Sequence, residues 1–191
     1  MPWSICSACT YSVVTTTDKY NPVGELLLVQ RVRRSGDRAA FGRLVERYQS
    51  PLRRYLTHLT AGDRFRADDL AQETFLKAFT SIRQFSGLGS FRAWLFRIAY
   101  RTFLDGCRSR RPSQELDQVT AGCEMSAENT ILQSALACLD DTERNVILLS
   151  AVEQLSHSQI AQVADMPLGT VKSVVARAKS KLREYLKNEE L

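Results

Sequence analysis

LSHSQIAQVADMPLGTVKSVVARAKSKLREYL, residues 155–186, decides how the C-terminal third of this chain folds. Ser156 and Gln159 stand three apart, the spacing at which two side chains cap a helix N-terminus reciprocally. Behind that cap, Ile160, Ala161, Val163 and Ala164 recur at helical spacing and form an inner face. The pattern breaks at DMPLG, where Pro167 and Gly169 punctuate a tight turn. A second helix is predicted from about Thr170, with Val171, Val174, Val175 and Ala178 facing inward. Its outward positions are Thr170, Lys172, Ser173, Ala176, Arg177 and Lys181. Small Ala161 lets the two helices pack closely. This is the pattern of a helix-turn-helix, whose second helix enters the major groove of DNA. Residues near that helix's N-terminus would meet base edges, and its partial positive end favours phosphate. Lys and Arg further along suit the DNA backbone, where contacts position without specifying. An αα-hairpin with a solvated basic face is the plainer alternative, but cap, turn and basic face coincide here.

Upstream, apolar positions repeat at helical spacing from Val23 and almost nothing alternates. Leu26, Leu27, Val29 and Val32 predict a short helix ending near Ser35-Gly36. Asp37 can cap the next, whose core face is Phe41, Leu44, Val45, Tyr48, Leu52, Tyr55 and Leu56. Pro51 should kink or split that helix, and Gly62 should close it. Further helices are predicted from about Ala67 to Ile82 and from about Ser90 to Arg108. Residues 109–127, SRRPSQELDQVTAGCEMSA, show no period and contain Pro112 and Gly122. The expected architecture is therefore all-α. Two small helical domains, 23–108 and 128–191, are joined by a flexible linker, 109–127, and preceded by a disordered extension, 1–22.

Composition narrows the function. The chain has 191 residues, 44% hydrophobic and 25% charged, with a net charge of +5. No run approaches the ~18 apolar residues of a membrane-spanning helix. The N-terminus lacks the basic start and apolar run of a secretory signal, so a cytoplasmic protein is expected. Residues 25–108 carry 16 Lys/Arg against 8 Asp/Glu. A second basic surface gathers in 170–191, at Lys172, Arg177, Lys179, Lys181, Arg183 and Lys187. Two separated basic surfaces suggest a polyanion touched in two places. Five Cys, an odd number, argue against a disulfide framework. Cys6 and Cys9 form a C-x-x-C, but no second pair follows at metal spacing. The chain's two His, His58 and His157, lie far away in sequence. With no Gly-rich phosphate loop and no nucleophile–base pair, neither an enzyme nor a cofactor or small-molecule substrate is expected.

Within the basic first domain lies an acidic segment, DDLAQETFLKAF, residues 68–79. Asp69, Gln72, Glu73 and Leu76 fall at i, i+3, i+4 and i+7 and so share one helix face. Ala71, Phe75, Ala78, Phe79 and Ile82 can face the core. Asp68 and Asp69 could simply complement a helix dipole, but Gln72-Glu73 has no such explanation. Taken in order with FRAWLFRIAYRTFLDGCRSRR and LSHSQIAQVADMPLGTVKS, this segment resembles the extracytoplasmic-function (ECF) sigma factors of bacteria. The resemblance covers about residues 23–187.

The resemblance implies a protein that binds core RNA polymerase, recognises a two-part promoter and promotes opening of the DNA. Asp69, Gln72, Glu73 and Leu76 would dock on the clamp helices of the β′ subunit, with a further contact to the β flap. The minus-ten element would meet Gln84, Phe85, Ser86, Arg92, Arg97, Arg101 and Arg108. The loop Gln84–Ser90 corresponds to one that holds a flipped base, and its two Gly allow close backbone approach. Phe91 and Trp94 read as core, since Trp94, Leu95, Ile98 and Phe103 fit a buried stripe. The minus-thirty-five element would meet Thr170, Lys172, Ser173, Arg177 and Lys181. An anti-sigma partner is implied as well. Three positions depart from the family pattern. Arg101 stands where Asn is frequent, Gly106 where the residue is bulky, and Val174 where Arg is usual. Val174 either alters the DNA preference or packs inward.

The linker's 19 residues span at most ~63–68 Å extended. That is nearly two turns of B-DNA at ~34–36 Å each. A compact linker would instead let the domains fold on each other. The competing reading is a stand-alone helix-turn-helix regulator, which has no need of residues 68–108.

Overall fold

The computed structural model describes residues 22–110, apart from Leu88, and residues 127–189. The extension with Cys6 and Cys9, and most of the linker, lie outside the described residues. Among the described residues every regular element is helical. The elements are α1 (Pro22–Ser35), α2 (Arg38–Leu59), α3 (Arg64–Ser81), a single 3-10 turn (Ile82–Gln84) and α4 (Phe91–Arg110). They continue as α5 (Ala127–Ala137), α6 (Asp141–Ile147), a π-helical segment (Leu148–Val152), α7 (His157–Ala164) and α8 (Leu168–Glu189).

Helix starts follow their caps. Asp37 accepts the Ala40 amide at 3.0 Å to open α2. Asp63 accepts the Arg66 amide at 2.9 Å, so α3 begins three residues before the expected Ala67. Ser156 and Gln159 form the predicted reciprocal cap of α7. Asp165 ends α7 in the left-handed conformation, φ +57°. That shortens the turn to Asp165–Pro167 and draws Gly169 into the first turn of α8. The helix expected from Leu26, Leu27, Val29 and Val32 forms as α1, and packing decides which of its faces is covered. Leu26 and Leu27 are 45% and 58% exposed, because α1 packs through Val29 and Val32 on its other side. Pro51 does not split α2. It removes only one amide donor, while Leu44 and Tyr48 before it and Leu52, Tyr55 and Leu56 after it stay in one buried stripe.

The first four helices form an N-terminal lobe. Val29, Val32, Leu44, Tyr48, Ile82, Phe85, Phe91 and Leu95 pack in one cluster there. Tyr48 donates its hydroxyl to Glu25, fixing α1 on α2. The remaining helices form a C-terminal lobe, and the two lobes share a core. Tyr55, Phe96, Ala99, Tyr100 and Phe103 belong to one buried cluster with Leu136, Leu139, Val146, Leu149 and Val163. Burial of each such large apolar side chain is worth ~1.5–3 kcal/mol. Within that core the Tyr55 hydroxyl donates to Asn145 Oδ1 at 2.6 Å. The domains read from the sequence are thus folded on each other.

Candidate docking and nucleic-acid surfaces

The acidic segment lies within α3 with one face buried and one bare. Ala67, Leu70, Ala71, Thr74 and Ala78 are buried. Asp69, Gln72, Glu73 and Leu76 are exposed, Leu76 at 69%. Because α3 starts at Arg64, Asp68 and Asp69 stand a full turn inside it, where a helix-dipole role weakens. Asp68 pairs with Arg53 of α2 at 3.1 Å, and Glu73 with Lys77 at 2.8 Å along its own helix. Asp68 is therefore tied to the fold, and the outer stripe is Asp69, Gln72, Glu73 and Leu76. Phe65, 80% exposed, extends that stripe one turn upstream. Sequence reasoning missed it because the Asp63 cap went unread; with that cap placed, the i, i+4 spacing to Asp69 is visible.

The residues expected at the minus-ten element are not all on one surface. Gln84 and Ser86 are exposed beside the 3-10 turn. Phe85 is buried, its ring 5.8 Å from that of Phe91 and 5.4 Å from that of Trp94. It braces the loop from beneath rather than presenting a ring to solvent. Gly87 and Gly89 both take positive φ, +79° and +114°, which fits the backbone freedom expected of them. Arg97, Arg101 and Arg108 stand at i, i+4 and i+11, one face of α4. Arg101 and Arg108 also line a cleft of about 270 Å³ against Val163, Ala164 and Asp165 of α7. Arg92 points elsewhere, to Glu153 of the C-terminal lobe, with its guanidinium 5.6 Å from the Phe96 ring centroid.

On α8, Thr170, Lys172, Ser173 and Arg177 are exposed and Lys181 is half-buried. Val174 is buried with Val163, Val171 and Val175, so the inward alternative holds at this position. Two of the expected DNA contacts share a support that the sequence reading overlooked. Glu143 of α6 is fully buried. It accepts from Arg177 Nε at 2.6 Å and Lys181 Nζ at 2.7 Å. Burial alone would raise its pKa, but the bonds from Lys181 and Arg177 outweigh that and hold it at about 2. Glu143 also closes a reciprocal cap with Asp140. The D-x-x-E spacing of Asp140 and Glu143 was the readable signal. Among the described residues no cluster of His, Cys, Asp and Glu could hold a metal ion. No helix among them is long and apolar enough to cross a membrane.

Sequence-family models match both lobes. Sigma-70 region 2 matches residues 44–112, and Sigma-70 region 4 matches residues 129–182. The chain is 30% identical over 187 residues to the ECF RNA polymerase sigma factor SigW of Bacillus subtilis, covering 86% of this chain and 99% of that protein. The chain belongs to the ECF sigma factors. It is also 35% identical over 182 residues to the ECF RNA polymerase sigma-E factor of Haemophilus influenzae, covering 85% of this chain and 93% of that one. Two solved structures are similar in fold. CnrH in complex with the cytosolic domain of CnrY superposes with a TM-score of 0.70 at 29% identity, covering 86% of this chain and 98% of CnrH. The sigma factor RpoE in complex with the anti-sigma factor NepR from Bartonella quintana gives 0.66 at 27%, covering 77% and 96%. As an ECF sigma factor the chain serves transcription initiation and performs no covalent chemistry. Sigma factors bind RNA polymerase and promoter DNA.

Proposed function

We propose that α3 docks this sigma factor on core polymerase while α4 and α8 read the two promoter elements. The exposed stripe of α3 carries the reading. A basic chain keeps two carboxylates, an amide and a large apolar side chain on one solvent-facing surface, and none of Asp69, Gln72 and Leu76 is consumed by the core. That composition suits a basic partner surface with an apolar centre, as the β′ clamp helices would supply. Phe65 and Leu76 would be its apolar anchors. Gln84, Ser86, Arg97, Arg101 and Arg108 would hold melted minus-ten DNA, a task that a basic groove beside an aromatic-braced loop suits. Thr170, Lys172, Ser173 and Arg177 would meet the minus-thirty-five element, with region 4 also touching the β flap. The protein would work in the cytoplasm. The RpoE–NepR partnership supports an anti-sigma factor for this chain too. The test is affinity for purified core polymerase. Alanine at Asp69, Gln72 and Glu73 together should weaken binding by at least tenfold at unchanged helicity; wild-type affinity would reject this docking face.

A further inference from the structure

We propose that Arg33, near the end of α1, is a further contact of the minus-ten site, where its guanidinium holds a backbone phosphate of the strand whose base the Gln84–Ser90 loop receives. The proposal rests on the reading of that loop given above. The loop, QFSGLGS, carries no charged side chain. A neutral loop can shape a pocket for a base, but it leaves the phosphates beside that base without a partner. Cations must come from neighbouring elements. α4 leaves the loop at Phe91, so Arg97, Arg101 and Arg108 stand about 9, 15 and 26 Å along its axis. Arg92 is nearer, but it is held by Glu153.

Arg33 is placed to fill that gap. Val29 and Val32 of α1 share a buried cluster with Ile82, Phe85 and Phe91, which fixes the end of α1 against the base of the loop. One residue past Val32, Arg33 turns to the loop itself: its Nη1 lies 3.6 Å from the point where a Cβ on Gly87 would stand. Gly87 has φ +79° and no side chain there, so the guanidinium comes up to the loop backbone. Arg33 is half-buried, and no ion pair among the described residues uses it. A guanidinium carries its N–H donors in a planar fork, so it can rest on the loop and still grip a phosphate bidentately. Its neighbours in α1 are used differently. Arg31 is bound to Asp37 at 2.6 Å, and Arg34 lines a cleft between α1 and α2 with Arg43 and Arg47. The plainer role, a cation complementing the C-terminal dipole of α1, is open to Arg33 and Arg34 alike. It does not explain why Arg33 reaches Gly87.

The test uses holoenzyme assembled from the full chain and core polymerase. The probe is a fluorescein-labelled single-stranded oligonucleotide with the non-template minus-ten sequence of a promoter that this holoenzyme transcribes. Arg33→Gln should bind it about tenfold more weakly than wild type, the size of one charge-assisted hydrogen bond. The slope of log affinity against log salt should shrink by ~0.7, the loss of one phosphate contact on a single strand. Arg33→Lys should keep the wild-type slope. Probes with a single neutral methylphosphonate linkage, moved along the strand, locate the contact. At one linkage beside the base held by the loop, wild type should lose about tenfold in affinity and Arg33→Gln nothing further. A merely structural Arg33 would change affinity without changing the salt slope or the linkage pattern, and that result would overturn the proposal. So would an Arg33→Gln variant that matches wild type throughout. Failure of the underlying loop reading is distinguishable, because Gln84→Ala would then also bind as wild type does. Failure of the Arg33 contact alone leaves Gln84→Ala weakened.

Discussion

At Glu143 a single carboxylate joins two helices of the C-terminal lobe, α6 and α8. It accepts the backbone amide of Asp140, the residue that caps α6, and it holds Arg177 and Lys181 of α8 from beneath. The two basic side chains are thereby pinned near the surface that DNA would approach, so Glu143 is a positioning residue. Its folded pKa of about 2 lies below the unfolded value of 4.5. The group thus contributes stability that is complete above pH ~4.5 and is lost as pH falls towards about 2. Replacing it with Gln keeps the shape and removes the charge. Glu143→Gln should cost about 1.5–3 kcal/mol at pH 7, the range for hydrogen bonds to charged groups. It should also flatten the acid limb of the stability curve between those pH values. Denaturant melts of both proteins from pH 7 downward check this, and parallel acid limbs would contradict it.

Element by element, the sequence told most where chemistry was local. Ser156 with Gln159, Asp37 and the two Gly of the Gln84–Ser90 loop behave as their residue types require. So does the buried stripe of α2, which is long enough to carry Pro51. What stayed illegible depends on contacts between elements. Periodicity gave α1 four apolar positions but could not say that of these only Val29 and Val32 are buried. The family resemblance put Phe85 among the residues expected at the minus-ten element, and no local pattern showed that Phe91 and Trp94 cover its ring. Glu153 looked like one acid among six in 128–169, since its partners lie 61 and 99 residues away. Val174 was ambiguous for a related reason: the helical pattern put it inside and the family pattern put it outside. Its burial makes a prediction. Val174→Arg should destabilise the protein by roughly 3–5 kcal/mol, the cost of an uncompensated buried charge, instead of restoring a DNA contact. Thermal melting decides it. A variant as stable as wild type, with tighter promoter binding, would place position 174 on the outer face.

Across the described residues, charge is sorted by surface. One acidic stripe faces outward on α3, the basic residues of α4 and α8 lie elsewhere, and the acids Glu143 and Glu153 are buried to hold basic side chains of α8 and α4. The opposition between the acidic stripe of α3 and the basic faces of α4 and α8, proposed to serve docking and DNA, is legible in the sequence. The closure of one lobe on the other is not, because no local pattern encodes which domain surface meets which. The central claim is that α3 delivers the two DNA-reading faces to polymerase. Its most direct test is run-off transcription with purified core polymerase over a genomic-fragment library, comparing wild type with alanine at Asp69, Gln72 and Glu73. Discrete transcripts from wild type, lost in the folded variant, are the predicted result. No transcripts from wild type, together with footprints on duplex DNA by the chain alone, would contradict the account.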